Sequence, residues 1–215
     1  MRIYNTDGSE SGQCGNGARC LSRFVREQGL TEKQTLEIET VSTRFTLSLG
    51  AKGGVSAELA APVFEPQKIP FRAGQMSDGY PVSAAGQTFR IGAVSIGNPH
   101  AVLLVDDVNN APVGTIGPAL EHHPDFPERT NVGFVQIADR AHLKLRVWER
   151  GVGETLACGS GACAAVSVCR RWELIDDSVS VTLPGGTLDV AWPDGGSIHM
   201  SGPTERVFDG LWSLE

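Results

Sequence analysis

Apolar and polar positions along the chain repeat in two patterns. A helical pattern runs over Ala18–Gln28 and again over Ala162–Glu173. Elsewhere, alternation between turn clusters predicts strands: Thr35–Thr40, Arg44–Leu49 and Val55–Leu59, then Val179–Leu183, Thr187–Trp192 and Ser197–Ser201. Pro184-Gly185-Gly186 and Pro193-Asp194-Gly195-Gly196 separate the later runs, and Gly29 is placed to stop the first helix. Short strands are expected before each helix, at Arg2–Asn5 and Leu143–Trp148. Gln87–Ile96 and Ala101–Val105 read as strands joined by the turn Gly97-Asn98-Pro99-His100. A helix-like stretch and a polar loop then lead to Asn131.

The two patterns are one pattern twice. With residue 2 laid on residue 146, Arg2-Ile3-Tyr4-Asn5 falls on Arg146-Val147-Trp148-Glu149. Glu10 falls on Glu154, and Cys14-Gly15-Asn16-Gly17-Ala18 falls on Cys158-Gly159-Ser160-Gly161-Ala162. A constant offset marks a duplicated unit, so the expectation is an α+β fold of two pseudo-symmetric lobes. The second copy is preceded by much more chain than the first. Aligning the halves predicts that roughly 60 residues of the first copy are missing. The lobes are expected at 1–62 plus 204–215 and at 63–203.

Composition narrows the function classes. The 215 residues carry a net charge of −7 and no Lys/Arg-rich run, which argues against nucleic acid or an anionic membrane as partner. No apolar run is long enough for a bilayer span, and residues 1–10 lack the features of a secretory signal. Five cysteines, an odd number, point to reduced thiols in a cytoplasm rather than a disulfide framework. Their spacing does not suit a zinc knuckle: Cys14 and Cys20 are too far apart, and Cys158 and Cys163 straddle a helix start. Cys20, Cys163 and Cys169 read as apolar filler.

Cys14 and Cys158 are different. Each precedes a Gly-x-Gly-Ala that opens a helix. Glycine permits close approach of a ligand to the backbone, and the first free N–H groups of a helix cradle a carboxylate and favour thiolate over thiol. Two such motifs facing each other would put a sulfur on each side of one α-carbon. Inversion of that carbon needs a base on one face and an acid on the other. No pyridoxal or metal motif accompanies them, so no cofactor and no metal are expected.

These stretches resemble diaminopimelate epimerase: residues 5–10, 13–20, 97–100, 130–132 and 148–161, in the family's order and at similar spacing. The resemblance implies two lobes, each with strands wrapped around a central helix, and a cleft site between them. It implies interconversion of LL- and meso-diaminopimelate, a small-molecule substrate on the way to lysine and peptidoglycan, in a cytoplasmic and often homodimeric enzyme. Carried over by position, Cys14 and Cys158 are the two bases, with His100 the partner of Cys14 and Glu149 that of Cys158. Gly15, Asn16, Gly159 and Ser160 hold the reacting carboxylate. Asn5, Asn98, Asn131 and Arg150 recognise the distal amino-acid end, with Glu149 beside them. Taken singly, His100 and Asn5 read as turn residues, Asn131 as a strand or turn cap, and Glu149-Arg150 as an exposed ion pair. Their joint occurrence selects the other reading. His122, His123, His142 and His199 match nothing. The family's opening segment, with Met-His-Gly-Leu-Gly-Asn-Asp-Phe, has no counterpart here. A proline- or hydroxyproline-type racemase, or a catalytically silent fragment, are the competing expectations.

Overall fold

The computed structural model describes all residues except 5–7, 9, 11, 13, 42–43, 51–53, 194 and 212–215. Helix α1 spans Gly15–Glu27, and three strands follow: β1 (Thr35–Glu39), β2 (Arg44–Leu49) and β3 (Val55–Leu59). Next come β4 (Tyr80–Ala84), β5 (Gln87–Ser95), β6 (Pro99–Leu104), α2 (Val113–Glu121), β7 (Asn131–Asp139), β8 (His142–Glu149) and β9 (Gly153–Thr155). Helix α3 spans Gly159–Arg171, followed by β10 (Ser178–Leu183), β11 (Gly186–Ala191) and β12 (Ile198–Gly202). The described strands form one mixed sheet in the order β1-β2-β3-β12-β11-β10-β8-β7-β6-β5-β4, with β9 paired to β8. This is the mixed α+β fold expected.

The duplication is visible in three dimensions. α1 and α3 each have thirteen residues, start immediately after Cys14 and Cys158, and lie 144 residues apart. Arg2 grips Glu10 through two bonds of 3.1 and 3.0 Å, and Arg146 grips Glu154 through two of 2.6 and 3.0 Å, at the same offset. Beyond the helices the offset becomes 143. Leu36↔Leu47 in β1·β2 corresponds to Val179↔Val190 in β10·β11, and Leu47↔Ala57 to Val190↔Met200. The second copy is one residue shorter between helix and sheet. That step is required, because a strand displaced by one residue turns its apolar face to solvent. The sheet is continuous across the junction, where β3 pairs antiparallel with β12. There Ala57 lies opposite Met200, its own counterpart. The pseudo-twofold axis therefore passes through the Ala57–Met200 pair.

The halves differ in how their helices are covered. α3 packs on β5, β6, β7 and β11, and Ala162 through Cys169 are all buried. It is apolar on every side, as a helix inside a wrapped core must be. α1 packs on β2 and β3 and leaves Cys20 and Phe24 exposed, Phe24 at 54 %. Their counterparts Ala164 and Val168 are buried. Cys20 is therefore surface and not filler, whereas Cys163 and Cys169 are buried as expected. Gly29 ends α1 at φ +66, where its N–H and that of Leu30 return to Arg26 and Val25 carbonyls.

Both helices begin three residues earlier than their apolar pattern suggests. The Cys-Gly-x-Gly residues form the first turn instead of a preceding loop. β6 starts at Pro99, so His100 lies in a strand, behind a turn at Gly97 (φ +86) and Asn98.

Candidate active site

The first turns of α1 and α3 meet over the β3–β12 junction. One cavity of about 150 Å³ is lined there by Cys14, Gly15, Asn16, Asn98, Glu149, Cys158, Gly159 and Ser160, with Leu59, Ala157 and Met200. Eight of the residues singled out in the sequence thus share one wall-to-wall space. Asn5 lies outside the described residues.

Each cysteine stands at the N-cap position of its helix, and in α1 its side chain closes the cap. The Cys14 sulfur accepts the Gly17 N–H at 3.3 Å. A Cβ on Gly17 would sit 3.2 Å from that sulfur, and one on Gly161 would sit 3.3 Å from the Cys158 sulfur. Glycine at the third helical residue is what lets sulfur fold over the helix end. Free N–H groups and the positive end of the helix dipole then point into the cavity from both sides.

The two sulfurs are not equivalent. Cys14 is half-buried, while Cys158 is buried with its pKa pushed up to about 12. Burial is the main cause and the neighbouring Glu149 carboxylate adds to it. The Ser160 hydroxyl, 3.6 Å from the sulfur, and the Gly161 N–H act in the opposite sense. Cys158 is therefore held as a thiol. Glu149 also accepts a hydrogen bond from the Thr155 hydroxyl.

The remaining expected residues lie just behind this cavity. His100 is buried beside it and gives its Nε2–H to Asn98 Oδ1 at 3.0 Å. Burial, assisted by the Arg150 charge, pushes its pKa down to about 3, so it is a neutral imidazole. Asn131 lies opposite His100 in the β6·β7 register. Its amide donates to Pro99 O at 2.9 Å and accepts the Arg150 N–H at 3.0 Å, which fixes the start of the 150–152 loop. The exposed Arg150 guanidinium donates to Glu128 O at 3.0 Å.

Three contributors escaped the sequence reading. Glu121, at the end of α2, is buried and accepts from Trp148 Nε1 at 2.7 Å and Gly151 N at 2.9 Å. It holds both sides of Glu149-Arg150. Met200 and Leu59 come from strands whose apolar alternation carries no mark of a site. Among the described residues no cluster of three or more His, Cys, Asp or Glu is arranged to hold a metal. Among the described residues no helix is long and apolar enough to cross a membrane.

This architecture is shared by a class of mixed α+β proteins. The chain superposes on a Bacillus anthracis phenazine biosynthesis protein of the PhzF family with a TM-score of 0.64 at 20 % identity, over 94 % of this chain and 76 % of that one. It superposes on a hydroxyproline epimerase from Agrobacterium vitis, solved with trans-4-hydroxy-L-proline, with a TM-score of 0.65 at 16 % identity, over 94 % and 67 %. At those identities the likeness is one of fold. Within the class, the chain belongs to the diaminopimelate epimerase family, which it matches over residues 1–64 and 92–207. A diaminopimelate epimerase from Ectopseudomonas mendocina (strain ymp) is 51 % identical over 210 residues, 97 % of this chain and 76 % of that protein.

Proposed function

We propose that this chain interconverts LL- and meso-diaminopimelate by proton transfer at one α-carbon between two cysteines, without a cofactor. The observation that carries the reading is the pair of cysteine-capped helix N-termini lining a single cavity. The reacting carboxylate lies against the free N–H groups of Gly15, Asn16, Gly159 and Ser160, which stabilise the charge that builds on it. Cys14, as thiolate, takes the α-proton from one face. Cys158, a neutral thiol, delivers a proton to the other and is left as the thiolate that runs the reverse reaction. Its new charge is met by the Ser160 hydroxyl and the Gly161 N–H. Glu149 is the partner of Cys158. His100 is a positioning residue on the Cys14 side, acting through Asn98. Recognition of the distal amino-acid end is assigned to Asn98, Asn131 and Arg150, and from the sequence to Asn5, and Arg150 can grip its carboxylate with both arms of the guanidinium.

A division into lobes at 1–62 plus 204–215 and 63–203, a cytoplasmic setting and a homodimer belong to the same reading. The test is conversion of LL- to meso-diaminopimelate by the purified chain and by Cys14→Ala and Cys158→Ala. Activity in the parent and none in either variant is the expected result. Retained activity in one variant would exclude a paired-cysteine mechanism. Cysteine-to-serine variants should fall by roughly a thousandfold or more, because a hydroxyl is a poor base at neutral pH.

A further inference from the structure

Met200 occupies the one place in the sheet that both halves share. It lies opposite its own counterpart, Ala57, on the pseudo-twofold axis. Two large side chains would compete for that place, and the pair is one large and one small residue. Met200 is fully buried and lines the cavity that holds both cysteines. Its Cε lies 3.2 Å from where a Cβ on Gly15 would be. Its Sδ and Cε lie 3.0 and 3.1 Å from where a Cβ on Gly159 would be. The first helical residue of α1 and that of α3 therefore rest on one thioether, each close enough that an added Cβ would require the thioether to give by a few tenths of an ångström. The sulfur is held in turn by the buried Arg19, whose Nη1 lies 3.8 Å from Sδ. Arg19 corresponds to Cys163 in the other half, so this brace exists on one side only.

We propose that Met200 is a positioning residue, a wedge on the symmetry axis that sets the gap between the two cysteine-bearing helix N-termini and hence the space for the α-carbon. The catalytic consequence rests on the two-cysteine reading above; the spacing itself does not. Met is suited to the task because its unbranched thioether fills an irregular gap between two backbones. Gly15 and Gly159 then have a reason beyond the carboxylate cradle: a methyl group at either would press on the wedge and shift it by a few tenths of an ångström.

Two readouts separate the spacing from the chemistry. The first is the rate at which diamide, which accepts the two electrons and two protons released, links Cys14 to Cys158, followed by peptide mapping. Met200→Ala lets the N-termini close and should raise that rate by about fivefold or more, because disulfide formation is steep in sulfur separation. Met200→Leu keeps the volume and should stay within about twofold. So should Ile91→Ala, a truncation in the distant core around β5. The second readout is epimerisation. Met200→Ala should lose at least about tenfold in kcat with KM changed by less than about threefold, since misplaced reacting groups cost rate more than binding. Met200→Leu should keep most of kcat. A linking rate in Met200→Ala equal to the parent's, or a Met200→Leu that behaves as Met200→Ala does, overturns the wedge. Separated linking rates in a parent chain that does not epimerise diaminopimelate would uphold the wedge and refute the proposed reaction.

Discussion

The buried His100 makes the fold sensitive to acid in a way that can be calculated. In the folded chain its imidazole is shielded from water, bonded to Asn98 and close to Arg150, and titrates near 3 in place of 6.5. In the unfolded chain it takes up a proton below about 6.5. Between those values the unfolded state binds the extra proton, so stability must fall as pH falls through that window. Going from pH 7 to pH 4.5 crosses two pH units below the unfolded value while the folded imidazole stays neutral. At about 1.36 kcal/mol per unit, His100 alone should remove about 2.7 kcal/mol. The perturbation is His100→Gln, whose amide can still donate to Asn98 and cannot take a proton. The assay is urea unfolding of both proteins at pH 7 and pH 4.5. Carboxylates contribute equally to the two proteins and cancel in the comparison. The variant should lose about 2.7 kcal/mol less than the parent over that interval. Equal losses in the two proteins would mean that His100 is hydrated or already charged, and the buried neutral imidazole would be wrong.

At the alkaline end, Cys158, Cys163 and Cys169 are each pushed up to about 12 by burial, so the folded chain keeps three protons that the unfolded chain releases near 9. Stability should therefore fall as pH rises from 9 towards 12, and Cys163→Ala should flatten that fall in pH-dependent denaturation. Glu121→Ala should leave the partly buried Trp148 and Gly151 donors without their acceptor, costing about 1–3 kcal/mol in all in unfolding measurements. It should also weaken diaminopimelate binding through the Glu149-Arg150 loop; a stability loss with unchanged KM would confine Glu121 to the fold.

Much of this molecule was legible in the chain because the duplication doubles every local signal. Cys-Gly-x-Gly-Ala, alone an ordinary helix start, carries weight at two places 144 residues apart. The later one-residue step to 143 was hidden, since it falls between helix and strand, where no motif marks the register. β7, which starts where the polar loop ends at Asn131, carries no strand signal in the sequence. Its Asn131–Val135 segment is buried on both faces, so it lacks the alternation that betrays a half-exposed strand. β4 has that alternation but holds only five residues with a proline among them, which weakens a strand reading. Glu121 and Met200 were out of reach for a different reason. Their roles depend on contacts with Trp148, Gly151, Gly15 and Gly159, far away along the chain, and neither residue stands in a local pattern of its own. Cys20 shows the converse error: helical spacing places it on a face of α1, and only the packing shows that β2 and β3 cover the other faces.

The central claim is that two sulfurs work from opposite sides of one carbon, and solvent isotope labelling tests it most directly. In the proposed mechanism each isomer loses its α-proton to one cysteine and receives its new hydrogen from the other, so in deuterated water the incoming atom is solvent-derived. The measurement is a time course of deuterium in recovered LL-diaminopimelate and in the meso product. Label is expected in the product from the first turnovers, well before any appears in recovered substrate. Label arising early and to equal extent in both isomers would mean that a single base serves both faces, and would contradict that claim.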